Sequence, residues 1–127
     1  MPDVITEPAR IPVPGGKVID EYVGRVATPG LPAGGAVSVA RMSAPPGWSE
    51  PGQRPEFDEV TLVLAGSVLV EHERGGLEVR AGQAVLTRAG EWVRYSAGPG
   101  GAEYVAVCAP AFAPDLAHRD DEPPGEP

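Results

Sequence analysis

Lysine, histidine and cysteine are scarce in this acidic chain of 127 residues. One lysine (Lys17) and nine arginines, scattered along the chain, stand against 18 acidic residues, and the formal net charge is -8. Because proteins bind polyanions through clustered lysine and arginine side chains, we expect neither a nucleic-acid nor an anionic membrane partner. The single cysteine, Cys108, excludes an intrachain disulfide and a cysteine-rich zinc site.

Long apolar runs are missing as well. No stretch reaches the roughly 18 consecutive apolar residues that a membrane-spanning helix requires. The first residues also lack the basic segment and the apolar core of a secretion signal. We therefore expect a cytoplasmic protein without a membrane anchor.

Proline and glycine divide the chain into a core and two ends. No proline lies between Glu56 and Gly98, and this stretch is rich in valine, leucine and alanine. Residues 1–16 hold four prolines and no periodic pattern, which predicts an extended N-terminal arm. Residues 113–127 are acidic and rich in proline, which predicts a disordered tail. One domain, residues 17–112, is left between them.

The middle of the chain reads as short strands separated by turn residues. The alternating segment that ends at Arg74 meets Gly75-Gly76, a two-residue hairpin signal. No segment of about a dozen residues free of glycine and proline has the helical period of 3.6. We therefore expect an all-β domain in which helices are minor. The predicted strands are residues 18–26, 36–43, 59–64, 67–74, 77–81, 84–88, 91–96 and 102–109.

One predicted strand carries apolar residues on both of its faces. Residues 61–65 read Thr-Leu-Val-Leu-Ala, so neither side of the strand is polar. In a chain of this size the second apolar face predicts either a dimer interface or cover from a second sheet. We expect a homodimer, with the N-terminal arm exchanged or packed across it.

Two segments resemble the paired motifs of the cupin superfamily, G-x5-H-x-H-x3-E-x6-G and G-x5-P-x-G-x2-H. Residues 47–66 and 82–93 fit these spacings without gaps. The surrounding sequence is most similar to small single-domain cupins of the ethanolamine-utilisation type. This resemblance implies a cupin-type double-stranded β-helix, a jelly-roll barrel, for residues 17–112.

The resemblance also implies where a metal would bind. In metal-binding cupins two histidines and a glutamate of the first motif, and a histidine of the second, are the ligands. The matching residues here are Gln53, Pro55, Glu59 and Val93, so only the glutamate is kept. Zinc, iron, nickel and copper prefer imidazole or thiolate ligands. We therefore expect no metal and no cofactor, with a hard ion on oxygen ligands from Glu50, Glu56 or Asp58 as the alternative.

Glu59 is the principal candidate catalytic residue. In the barrel alignment its side chain points into an apolar cavity, where lost hydration would raise its pKa and suit it to acid/base chemistry. The alternative is a buried structural pair between Glu59 and an arginine. The arginines considered for that pair are Arg41, Arg88 and Arg94. The residues expected to line the cavity are Val63, Val68, Val70, Val93 and Tyr95.

The remaining candidates surround Glu59 in the predicted cavity. Tyr95 is the second candidate catalytic residue, since it shares the alternation of Val93 and could donate a hydrogen bond inside the barrel. The predicted substrate-binding residues are Gln53, Arg41, Trp48, Val93 and Val63. An inward Arg41 would bind a carboxylate or an enolate; the alternative is a surface position, since the alternation along its strand is ambiguous.

These residues support three hypotheses about function. The first is a metal-independent enzyme that transfers protons on a small organic substrate, as an isomerase, cyclase or lyase does. The second is a metabolite-binding cupin without catalysis. The third is a metal-dependent cupin with an atypical oxygen-rich site.

Overall fold

The computed structural model describes residues 1–30 and 33–120. Over these residues the chain forms seven strands and two four-residue helices, which agrees with the all-β prediction. The strands are β1 (Ala9–Ile11), β2 (Val18–Val23), β3 (Ser38–Ala44), β4 (Asp58–His72), β5 (Gly75–Arg80), β6 (Ala84–Thr87) and β7 (Val93–Ala109). The helices are α1 (Ala33–Ala36) and α2 (Pro114–Ala117). Neither helix is long and apolar enough to cross a bilayer, and no other helix lies in the described ranges.

All the strands pair antiparallel in the order β1-β2-β3-β7-β4-β5, and β6 pairs with β4. The long strands β4 and β7 pair from Asp58 opposite Ala109 to His72 opposite Val93, with two register shifts. The structure therefore joins predicted strands 59–64 and 67–74 into the single strand β4. It likewise joins predicted strands 91–96 and 102–109 into β7. Glycine makes this possible, since Gly66 has a φ of +71° and a methyl group there would overlap the Gly101 carbonyl.

The inward residues of the long strands form a closed apolar core. Val63 is fully buried and Val93 is 2% exposed, and both pack in one cluster with residues of β3, β5 and β7. The prediction that valines line the cavity is therefore corrected. The four valines concerned fill space within this cluster and do not line the cavity: Val63, Val68, Val70 and Val93.

The outer face of β4 stays apolar and uncovered in the single chain. Thr61 and Val63 point inward and are buried, whereas Leu62 and Leu64 point outward and are 41% and 44% exposed. Their neighbour Leu86 on β6 is also exposed. Cover from a second sheet of the same chain is therefore excluded for these side chains, and the homodimer stays a prediction.

Both ends of the chain contribute more structure than their composition predicts. The arm forms β1, which pairs with β2 of the same chain; exchange of the arm in a homodimer stays a prediction. The prediction of a disordered tail from residue 113 is wrong for residues 113–120, because Ala113 and Ala117 are buried and Leu116 packs beside Phe57. Composition does not reveal this packing, because proline and acidic residues outnumber the few apolar residues of the tail. The remainder of the predicted tail, residues 121–127, lies outside the described residues.

Candidate functional site

Next to the closed core the sheet surrounds a cavity of about 280 Å³. Alternation along the strands decides what faces it: Glu59 and Thr61 point inward from β4, and Cys108 and Ala106 stand opposite them on β7. The N-terminal arm and residues of the C-terminal segment complete the wall. The polar lining residues are Lys17, Glu21, Ser38, Glu50, Gln53, Glu59, Thr61, Tyr95, Tyr104, Cys108 and Arg119.

Glu59 is the carboxylate at the centre of this cavity. Its residue is only 9% exposed, and the Tyr95 hydroxyl donates a hydrogen bond of 3.5 Å to Glu59 Oε1. Loss of hydration, with a smaller contribution from the charge of Glu50, raises the pKa of Glu59 from 4.5 to about 7, against the opposing effect of Lys17. At neutral pH this carboxyl group therefore exists in both protonation states.

The predicted alternative of a structural pair between Glu59 and an arginine does not describe this site. Within residues 1–30 and 33–120 no arginine lies within ion-pair distance of Glu59. Of the three arginines considered, Arg41 pairs with Glu103, and Arg94 pairs with Glu71. Arg88 is exposed.

Tyr95 holds its hydroxyl between two partners. The Tyr95 and Thr87 hydroxyl oxygens lie 2.9 Å apart, and both side chains are buried. Burial and the charge of Glu59 raise the pKa of the Tyr95 phenol far above its ordinary value. The phenol is therefore a hydrogen-bond donor at any physiological pH.

Lys17 is a site residue that sequence reasoning missed. Its side chain is only 6% exposed, and Nζ lies 3.9 Å from Glu50 Oε1. The ammonium also sits 4.1 Å from the centre of the Trp48 ring and 5.6 Å from that of Tyr104. Burial lowers the pKa of Lys17, and the charges of Glu50 and Glu59 oppose this effect. A lone lysine before a strand carries no pattern that would have revealed this placement.

The C-terminal segment brings a second cation. Arg119 Nη1 lies 3.1 Å from Glu50 Oε2, and the backbone of Arg119 forms a β-bridge with Gln53. The Asp120 N–H donates to the Gly52 carbonyl, 2.8 Å away. The composition of residues 113–127 predicts a disordered tail. The sequence therefore gives no sign that Arg119 and Asp120 belong to the site.

Two buried polar atoms in the wall have no hydrogen-bond partner among the described residues. They are Gln53 Oε1 and Thr61 Oγ1, on residues that are 4% and 1% exposed. The backbone of Gln53 is fixed, because its N–H and C=O both bond to Val93 at 2.8 and 2.9 Å. A buried acceptor left unpaired costs free energy, but both atoms are enclosed by the protein itself, so neither faces space that a ligand could fill.

Three of the predicted substrate-binding residues lie elsewhere, and a fourth stands behind the wall. Arg41 is corrected to the outer face of β3, since Ala40 and Met42 are its neighbours that line the cavity; its side chain is 53% exposed and 2.5 Å from Glu103. Val63 and Val93 belong to the closed core. Trp48 is half-buried and contacts Lys17 rather than the cavity.

The residues at the cupin ligand positions do not fit the family's metal. An amide, a proline ring and a valine stand where three imidazoles would be needed. Over the described ranges no three His, Cys, Asp or Glu residues come close enough together to hold an ion.

Comparison with proteins of known structure identifies the fold. No protein-family model matches the chain. Oxalate decarboxylase of Bacillus subtilis superposes with a TM-score of 0.74 over 91% of this chain and 31% of that chain, at 19% identity. The chain has the cupin fold.

Two shorter cupins match over most of their own length. The Streptomyces protein PAC13, solved with uridine, gives a TM-score of 0.71 over 93% of this chain and 88% of that chain, at 16% identity. The putative ethanolamine utilization protein Q of Salmonella typhimurium gives 0.57 over 76% and 71%, at 19% identity. Likeness at these identities shows the cupin fold and no activity.

A curated sequence relative carries a different name. The chain is 47% identical over 115 residues, 90% of its length, to a Myxococcus xanthus protein named endoribonuclease YbeY. The match spans only 38% of that protein. The ribonuclease activity in its name is therefore not shown for this chain.

Proposed function

We propose that this cupin is a metal-independent enzyme that transfers protons on a small organic substrate, with Glu59 as its general acid/base. The supporting observation is a carboxyl group buried in a cavity beside the Tyr95 hydroxyl, with its pKa raised to about 7. A group that titrates near the working pH can both accept and donate a proton efficiently. The fold by itself would support many other activities.

The chemistry needs only side chains of the cavity. Ionised Glu59 removes a proton from a carbon next to a carbonyl group: the C–H bond breaks, the proton goes to the carboxylate, and the electron pair moves to the carbonyl oxygen. The Tyr95 phenol and the Lys17 ammonium are the donors that can stabilise the resulting oxyanion. Glu59 then returns the proton to another carbon, which completes an isomerisation, or to a leaving hydroxyl group, which completes an elimination.

Isotope exchange tests this proposal before the product is known. The protein is incubated in D2O with a set of small oxo and hydroxy acids, and loss of C–H signals is followed by NMR. Wild type should exchange, and Glu59→Gln should slow exchange by roughly 10²–10⁴-fold. Arg41→Gln is the matched control, since it removes a polar side chain from the outer face. Exchange by Glu59→Gln at the wild-type rate would refute the role of Glu59.

Binding without catalysis is the second candidate. The buried Lys17 ammonium favours it, because it lines the cavity with its nearest carboxylate oxygen 3.9 Å away and can bond to a polar ligand whether or not a reaction follows. PAC13 was solved with uridine, so a cupin of similar size can hold a small polar molecule. A ligand that raises the melting temperature while its C–H signals persist in D2O would support this alternative.

RNA is not the substrate that we propose, despite the name of the Myxococcus relative. The formal net charge is -8, and binding of a polyanion depends on clustered cations. The site has two cations, Lys17 and Arg119, and Glu50 contacts both. A small organic molecule fits this arrangement better.

A further inference from the structure

The Lys17 ammonium has hydrogen-bonding capacity that no group within residues 1–30 and 33–120 takes up. Its nearest carboxylate oxygen, on Glu50, is 3.9 Å away, which is an ion pair but too long for a hydrogen bond. The other Glu50 oxygen is held by Arg119 at 3.1 Å. An ammonium carries three N–H donors. The aromatic faces of Trp48 and Tyr104 lie beside it, but an aromatic face does not accept a hydrogen bond in the way a carboxylate oxygen does.

A buried cation in this state is costly unless something in the cavity bonds to it. The Lys17 side chain is 6% exposed and lines the cavity, so its remaining surface faces the space that a ligand would fill. Burying an ammonium without hydrogen bonds is unfavourable. The natural complement is an anionic oxygen.

We propose that the cavity binds a small carboxylic acid, with the carboxylate on Lys17 Nζ. This inference rests on the proposed function, because it names the class of substrate for the same cavity. A volume of about 280 Å³ restricts the ligand to a small molecule, since drug-sized pockets begin near this value.

A carboxylate suits this wall better than a phosphate does. Phosphate sites usually offer several donors, from backbone N–H groups or from arginine forks. Here the one uncommitted ammonium is accompanied by the carboxyl groups of Glu50 and Glu59. A dianion would be repelled by both of them.

Matched acid and amide pairs test the proposal. The Glu59→Gln variant is used so that binding is measured without turnover, and the probes are lactate, 3-hydroxybutyrate and mandelate, each against its primary amide. Inorganic phosphate tests the competing anion. The acids should raise the melting temperature and bind by calorimetry roughly tenfold to a hundredfold more tightly than their amides. Phosphate should give no shift.

Variants test which side chains bind the ligand. Lys17→Met should remove the preference for acid over amide, whereas Arg41→Met, which removes a cation from the outer face, should keep it. Loss of folding in Lys17→Met is monitored by circular dichroism, and Lys17→Gln serves as a polar replacement.

The outcomes separate this inference from the proposed function. Acids and amides that bind equally, phosphate that binds better than any acid, or a panel in which no acid binds would each overturn the inference. If wild type exchanges protons on a neutral substrate and this exchange depends on Glu59, the inference is overturned and the proposed function stands. Acid binding that depends on Lys17, without proton exchange in wild type, would uphold the inference and refute catalysis.

Discussion

Replacing Glu59 with glutamine should change how the free energy of unfolding depends on pH. The pKa of Glu59 is about 7 in the folded protein against an ordinary value of 4.5. As the pH rises, the unfolded chain therefore gives up this proton first, and wild-type stability falls between about pH 4.5 and pH 7. Above the folded-state pKa the loss is complete. At about 1.4 kcal/mol per pKa unit it amounts to roughly 3 kcal/mol.

Glutamine has a similar shape and no proton to lose, so its variant should escape this loss. The difference in unfolding free energy between Glu59→Gln and wild type should grow by roughly 3 kcal/mol from pH 4.5 to pH 8 and then stay level. In melting temperature this corresponds to roughly 10 °C for a domain of this size. Taking the difference cancels the titration of the other groups to the extent that they respond alike in both proteins.

The assay is urea unfolding followed by circular dichroism at pH 4, 5, 6, 7 and 8. Glu7→Gln is the matched control, because it removes a carboxyl group from the exposed arm. A difference between Glu59→Gln and wild type that is flat over this range would refute the reasoning. It would mean that Glu59 is as well hydrated in the folded protein as in the unfolded chain.

Three further predictions follow from the same structure. If Glu59 is the base in the free enzyme, kcat/KM should rise as the pH increases through about 7; a pH–rate profile with no inflection near neutrality would contradict this. Gly66→Ala should lower the unfolding free energy by roughly 2–4 kcal/mol because of its overlap with a facing carbonyl, whereas Gly47→Ala, also at positive φ but in open space, should cost about 1 kcal/mol; equal costs in thermal unfolding would show that the overlap is relieved. The exposed apolar face of β4 should pair with a second copy of the chain, so Leu62→Glu should convert a dimer to a monomer in light scattering, and a monomeric wild type would rule the homodimer out.

The fold and the central carboxylate could be predicted because they depend on local periodicity and on motif spacing. Glu59 follows from a spacing that fits without gaps, and its inward direction follows from the same motif alignment, because residues 61–65 are apolar on both faces and do not distinguish the two. Arg41 shows the limit of this reasoning. A shift of one residue on a strand moves a side chain to the other face, and nothing in the sequence of β3 settled which face Arg41 would take.

The cations of the site could not be predicted because long-range packing brings them there. Lys17 lies before β2, and Arg119 lies in a segment whose composition resembles a disordered tail. Both reach the cavity through contacts with Glu50, a residue that follows β3 by several positions. Neither has a periodic pattern or a motif of its own.

The charges that meet in the cavity bear on the pH at which Glu59 would act as a base. Lys17 and Arg119 share the cavity with Glu50 and Glu59. A bound carboxylate would add one negative charge and favour the state in which Glu59 keeps its proton. Isomerisation and elimination both begin with removal of a C–H proton, which requires ionised Glu59. With a carboxylate substrate bound, kcat should therefore reach its maximum at a higher pH than with a neutral substrate.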